Sequence, residues 1–250
     1  MNIGLCLCGG GAKGAYQAGV IKALHDRGIN QFNAISGTSI GSINGYFIFT
    51  NNVEKLEEMW TNIDTNVYGN IKIVNNTVDN SKVIEVLSNI DNSNENQLDF
   101  YVNYINIENN IPKEKVVNIL DLSKEDSLNS IKYSSLLPFN PRGTMGLNEQ
   151  FRKDLSEGLY NGYNLDGGLV NNTLLSPLLN KDLDKIIIIS NSHDYTLPDE
   201  FKDIYNEDNI IIVRPKTEFT KGDTLKFEKE FCNKIYHEGY EIGKSLNISV

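Results

Sequence analysis

Gly37-Thr38-Ser39-Ile40-Gly41 sets a serine between two glycines, with a short apolar run before it and a helix-compatible segment after it. In a sharp strand-to-helix turn such a serine is thrust out as a nucleophile, and the flanking glycines keep side chains from colliding with the neighbouring elements. The same residues also fit an ordinary turn in which Ser39 caps a helix. Upstream, Gly9-Gly10-Gly11-Ala12-Lys13-Gly14 offers bare backbone N–H groups at another strand-to-helix turn. Donors of that kind, together with the positive end of a helix, stabilise an oxyanion. A nucleophile and a donor-rich turn are the two parts that acyl transfer needs.

The glycine turn admits rival uses. Gly9-x-Gly11-x-x-Gly14 matches the dinucleotide fingerprint, which requires a carboxylate at the end of the next strand. That strand ends Ile35-Ser36-Gly37-Thr38-Ser39, and the nearest acid, Asp26, falls at the end of the first helix. Half of the fingerprint is missing. A phosphate nest at this turn, with Ser39 inert, is a further possibility. Asp166-Gly167-Gly168 reads alone as an Asp-Gly turn at which the backbone comes close to a ligand or to another turn. His193, following the run Ile186–Ile189, completes the order Ser39, Asp166, His193 of an α/β-hydrolase triad. That fold builds several strands before its elbow, and few residues precede Ser39 here. His25 and His237 fall on expected helices and read as surface residues.

Positioning these groups requires buried strands and covering helices. Ile3-Gly4-Leu5-Cys6-Leu7-Cys8 is too short for a helix and reads as a buried strand, and Phe32-Asn33-Ala34-Ile35 as the next. Val53, Leu56, Met59 and Trp60 share one face of an expected helix, and a second helix is expected near Ser81–Leu87. Residues 100–107 and 116–120 read as an antiparallel pair about a turn at 108–112. A helix is expected over Ser127–Leu137, stopped by Pro138, and a long amphipathic one over Thr224–Leu246. Ile186–Ile189 and Ile210–Val213 are continuous apolar runs, the pattern of strands covered on both faces. The alternation predicts an α/β chain, a three-layer α/β/α sandwich around a central, mostly parallel sheet. One domain over residues 1–250 is expected, with 62–96, rich in Asn, as a peripheral insertion, either plain decoration or a lid.

With 250 residues the chain can bury a core without a metal or disulfide staple. Its three cysteines cannot all pair, and Cys6, Cys8 and Cys232 read as small core residues in a reduced compartment. A net charge of −10 argues against nucleic acid and against bulk attraction to anionic membranes. No leader-like segment or apolar run of membrane-spanning length is present, so the expectation is cytoplasmic.

Read in order, Gly9-Gly10-Gly11-Ala12-Lys13-Gly14-Ala15-Tyr16, Gly37 to Gly45, Ser134-Ser135-Leu136-Leu137-Pro138-Phe139 and Asp166-Gly167-Gly168-Leu169-Val170-Asn171-Asn172 resemble four blocks of the patatin-like phospholipases. Lys13 stands where many members carry Arg, Ser134 replaces an Ala, and Thr173-Leu174 replaces a proline. The resemblance implies a lipid acyl hydrolase with a Ser39–Asp166 dyad, Asp166 acting as general base without a histidine. It implies that Gly10 and Gly11 donate to the oxyanion while Gly9 and Gly14 shape the turn. Lys13 would meet a lipid phosphate or cap backbone carbonyls. A lipid or other acyl ester is the implied partner, with transient membrane contact and neither metal nor cofactor.

Overall fold

The computed structural model describes residues 1–92, 97–202 and 206–248. The apolar run after Asn2 is strand β1 (Ile3–Leu7), and the glycines behind it wind through a 3₁₀ turn (Gly11–Lys13) into helix α1 (Gly14–Asp26). The second unit repeats the plan as β2 (Ala34–Thr38) and α2 (Ile40–Phe49). Then come α3 (Val53–Thr61), α4 (Thr65–Tyr68), a small hairpin of β3 (Ile73–Val74) and β4 (Thr77–Val78), and α5 (Ser81–Ser88). The middle of the chain forms β5 (Asp99–Glu108), β6 (Ile111–Asn118), α6 (Lys124–Ser134), α7 (Leu147–Ser156) and β7 (Asn164–Asp166). It closes with α8 (Ser176–Leu179), β8 (Lys185–Ile189), α9 (Asp199–Lys202), β9 (Ile210–Val213) and α10 (Lys229–Ser245).

The main sheet runs β6-β5-β2-β1-β8-β9, with β7 also paired to β5. Strands β1, β2, β5, β8 and β9 are parallel, whereas β6 and β7 lie antiparallel to β5. The mostly parallel sheet flanked by helices is the expected architecture. Alternation along β1 sends Leu5 and Leu7 into one core, with residues of α1, α2 and α10, and sends Cys6 and Cys8 into a second, with Leu175 and Leu178. All three thiols are free and buried, as expected of core residues.

Registers decide what meets what. Leu7 lies opposite Gly37, so the turns that follow β1 and β2 emerge side by side. Strand β2 runs along β5 to the pair Thr38–Asn103, and β7 comes from the opposite direction to the pair Tyr104–Asp166. Strand β6 occupies the other edge of β5, so β2 and β7 share one edge and meet end to end. Ser39 and Asp166 stand at that junction.

Several expectations shift. Helix α6 stops at Ser134, and Pro138 instead bridges Thr77. Strand β6 begins at Ile111 and carries Pro112, which the sheet tolerates because β6 is an edge. Strand β8 is buried as the apolar run predicts, but Ile210, Ile211 and Ile212 are half-exposed because β9 is the opposite edge. The terminal helix starts at Lys229, preceded by a separate 3₁₀ turn with a Thr220–Asp223 capping box. The Asn-rich stretch packs Ile63, Leu87 and Ile90 into the main core, and its residues 93–96 lie outside the described residues.

Candidate active site

Ser39 adopts φ 55° and ψ −123°, while the other described non-glycine residues at positive φ are all asparagines. A serine there costs roughly 1–3 kcal/mol and persists only because its surroundings fix it. Glycine is dictated on both sides: a Cβ at Gly37 would lie 2.5 Å from the Gly41 carbonyl oxygen, and one at Gly41 would lie 2.1 Å from that of Leu7. The Ser39 N–H donates to Ser134 Oγ at 2.9 Å, and Ser42 Oγ donates to the Ser39 carbonyl at 2.6 Å. These bonds pin the turn from both sides.

The Ser39 hydroxyl donates to Asp166 Oδ2 at 2.6 Å. The other carboxylate oxygen, Oδ1, accepts the Gly168 N–H at 2.8 Å, which aims the carboxylate at the serine. Gly167 closes this turn tightly, because a Cβ there would sit 2.6 Å from the Asn103 carbonyl oxygen. Asp166 is only 4% exposed. Burial pushes its carboxyl up to about 6, and the hydrogen bonds from Ser39 and Gly168 pull part of the way back. A carboxylate raised in this way is a far better proton acceptor than one in water.

The glycine turn lies beside the serine, where a Cβ at Gly9 would come 3.1 Å from Ser39 Cβ. The Gly9 N–H donates to the Asn172 carbonyl, and the Gly10 carbonyl accepts the Lys13 N–H, both at 3.3 Å. Neither Gly10 N–H nor Gly11 N–H has an acceptor among the described residues, and both glycines line the cleft that holds Ser39 and Asp166. Gly11, at φ 58°, has no room for a side chain against the Thr224 carbonyl, and Gly14 packs against Ile40. Lys13 also lines the cleft, half-buried. Burial lowers its ammonium pKa, and the nearby Asp223 carboxylate opposes part of that shift.

The cleft has a volume of about 670 Å³. Ile40, Ile43, Met59 and Trp60 form its inner wall, while Val67, Ile71, Val78 and Val83 bring the Asn-rich stretch against it. That stretch was expected at the periphery. Part of it lines the site through Val67, Ile71, Val78 and Val83, while Val74 and Val86 stay exposed, which is nearer to the lid alternative than to plain decoration. His193 is exposed and lies outside the cleft lining, so the structure does not bring it to Ser39. The dinucleotide reading finds no carboxylate at the end of β2, and Asp26 is taken up by Lys22 at 2.6 Å. His25, Asp26 and Glu54 are the candidate metal-ligand cluster among the described residues, and the Lys22 ammonium already stands against two of them.

Sequence reasoning missed several polar side chains that hold the site. Gln17, Asn44 and Asn191 are buried, and their carboxamides bond to the glycine turn or to each other. Gln17 and Asn191 lie outside the quoted blocks, and Asn44, though inside the Gly37–Gly45 block, carries no signal there of a supporting role. Asn172 falls inside a quoted block, and its Nδ2 donates to the Gly9 carbonyl at 3.3 Å. The serine at position 134, noted only as a departure, is the acceptor for the elbow N–H.

A family model described as patatin-like phospholipase matches residues 5–179. Lysophospholipase nte1 of Aspergillus terreus is 57% identical over 44 residues, 18% of this chain and 3% of that protein. Lysophospholipase NTE1 of Mycosarcoma maydis is 56% identical over 45 residues, 18% of this chain and 2% of that protein. The match thus spans only a few per cent of the length of these curated relatives. Among solved structures, VipD from Legionella pneumophila superposes over 97% of this chain and 66% of its own at TM-score 0.52 and 12% identity. The type III effector protein ExoU does so over 97% and 52%, at TM-score 0.50 and 12% identity. Both likenesses speak to the fold.

Proposed function

The chain belongs to the patatin-like phospholipase family, and from that premise we propose that it hydrolyses the acyl esters of lipids through an acyl-Ser39 intermediate. The observation that carries this reading is the 2.6 Å Ser39–Asp166 hydrogen bond on the floor of an apolar-walled cleft. Ser39 Oγ attacks the ester carbonyl carbon and passes its proton to Asp166. The carbonyl oxygen becomes an oxyanion facing the Gly10 and Gly11 N–H groups, each worth ~3–4 kcal/mol to the transition state. Helix α2 begins at Ile40, so its positive end favours the same charge. When the tetrahedral intermediate collapses, Asp166 returns the proton to the leaving alcohol. Water then attacks the acyl-serine, giving its proton to Asp166, and as the fatty acid leaves, Asp166 returns that proton to Ser39 Oγ, restoring the free serine.

The cleft walls supply a place for an acyl chain, and Lys13 puts a cation on the cleft lining. The similarity to proteins named lysophospholipases, though confined to a short stretch, favours single-chain phospholipids among the substrates. Incubation with a fluorophosphonate probe and peptide mapping of the adduct test the mechanism. The label is expected on Ser39, and Ser39→Ala should lose both labelling and hydrolysis of a chromogenic ester. Labelling that persists in Ser39→Ala overturns the assignment.

A further inference from the structure

Asn191 stands just beyond β8, the strand beside β1, and is only 5% exposed. Its Nδ2 donates to the Cys8 carbonyl at 3.1 Å and to the Gly9 carbonyl at 3.2 Å. We propose that Asn191 is a positioning residue for the oxyanion-binding turn, an inference that rests on the ester-hydrolase reading above.

The argument begins with the peptide plane. In a trans peptide the C=O and the following N–H point in opposite directions, so fixing one fixes the other. The partner of the Gly9 carbonyl is the Gly10 N–H. Asn191 on one side and Asn172 on the other hold that carbonyl by two donors, so the Gly10 N–H is left facing the cleft with no acceptor among the described residues. The Cys8 carbonyl is held likewise by Asn191 and by Gln17 Nε2 at 3.2 Å. The Asn191 amide cannot be turned over, because Oδ1 would then face two carbonyl oxygens. That Oδ1 makes no hydrogen bond among the described residues, so the side chain is used for its donor end alone.

Asn191 also sets the space of the turn, since a Cβ at Gly10 would come 2.7 Å from its Nδ2. The support extends inward through other carboxamides. Gln17 Oε1 accepts from Asn44 Nδ2 at 3.0 Å, and Asn44 Oδ1 accepts from Trp60 Nε1 at 3.0 Å. Trp60 lines the cleft, so the turn and the acyl wall are tied to one buried amide chain.

The test compares Asn191→Ala and Asn191→Asp with the parent on a soluble ester, each checked for a cooperative melt. Loosening the turn should lower kcat by ~10–100-fold and leave KM within about threefold, the mark of an interaction made in the transition state. An alkyl trifluoromethyl ketone, which forms a tetrahedral adduct with the serine, should lose affinity by the same factor as kcat/KM. Oleate binding, followed by the fluorescence of Trp60, the single tryptophan, should be unchanged. An active parent whose Asn191→Ala variant stays within threefold in kcat, or loses oleate and ketone binding equally, overturns the proposal. Loss of the cooperative melt in both variants assigns Asn191 to the fold and overturns it too. A parent inactive on every ester instead removes the hydrolase reading beneath it.

Discussion

Asp166 sits where a carboxylate is costly, and that cost is measurable. Its carboxyl is raised from 3.8 to about 6, chiefly by burial. The acid form is therefore favoured in the folded state, and ionisation between those values weakens the fold. The penalty is absent below about pH 4, grows as pH rises, and is complete above about pH 6, where two units amount to ~3 kcal/mol. Asp166→Asn removes the ionisable group, so its melting temperature should gain on that of the parent as pH climbs through this window. A difference that is flat with pH would contradict the assignment. The parent's kcat/KM should rise through an apparent pKa near 6, since only the carboxylate accepts the serine proton. Asp166→Asn should lower turnover by ~10²–10⁴-fold, with the Ser39→Ala/Asp166→Asn double variant little worse than either alone. His193→Ala should stay within a few-fold of the parent, because that side chain is exposed outside the cleft. If it is as damaging as Asp166→Asn while still melting cooperatively, a triad is the better account.

Between elements, the decisive feature is the junction of β2 and β7 along one edge of β5. The sequence marks both turns with glycines, and the strand–turn–helix units around Ser39 and Gly9 are legible from apolar runs alone. What those runs do not encode is register. Asp166 reaches Ser39 because Thr38 pairs with Asn103 and Asp166 with Tyr104, and only the family resemblance anticipated their partnership. The buried amides at 17, 44 and 191 were illegible for the same reason, since their partners come from other elements of the chain. The packing of α1 on α10 is a second such case. A Cβ at Gly19 would sit 2.0 Å from the Tyr236 carbonyl oxygen, and one at Gly239 would sit 2.0 Å from that of Tyr16. In an isolated helix Gly→Ala gains about 1 kcal/mol. Here backbone blocks the new methyl, so Gly239→Ala should lose about 1–3 kcal/mol in urea denaturation. A stabilised Gly239→Ala would mean that the two helices are not held at this separation.

At the scale of the whole molecule, composition was a guide to charge and a poor one to the outline of the site. Low apolar content made residues 62–96 look peripheral, yet Val67, Ile71, Val78 and Val83 of that stretch line the cleft, while Val74 and Val86 remain exposed. Part of the asparagine serves geometry, since Asn75–Asn76 and Asn109–Asn110 supply the positive φ values of two tight hairpins. No helix among the described residues is long and apolar enough to cross a membrane. If the proposed lipid substrate is met at a bilayer, a net charge of −10 gives anionic bilayers little hold. Apolar contact is the alternative. Leu147 lines the cleft and is 38% exposed, and Val170, next to the cleft residue Leu169, is 54% exposed. Insertion of such side chains into the lipid interface does not depend on ionic strength. Binding to zwitterionic vesicles should therefore be weak, nearly salt-independent and little changed by anionic lipid. The Leu147→Asp/Val170→Asp variant should bind vesicles and hydrolyse vesicle-borne ester about tenfold less well, the equivalent of ~1.4 kcal/mol. Its activity on a soluble short-chain ester should be kept, since neither side chain touches the reacting groups. Affinity that climbs steeply with anionic lipid and collapses in salt would show that charge, through Lys13, Lys72 and Lys82 along the cleft, governs the encounter instead.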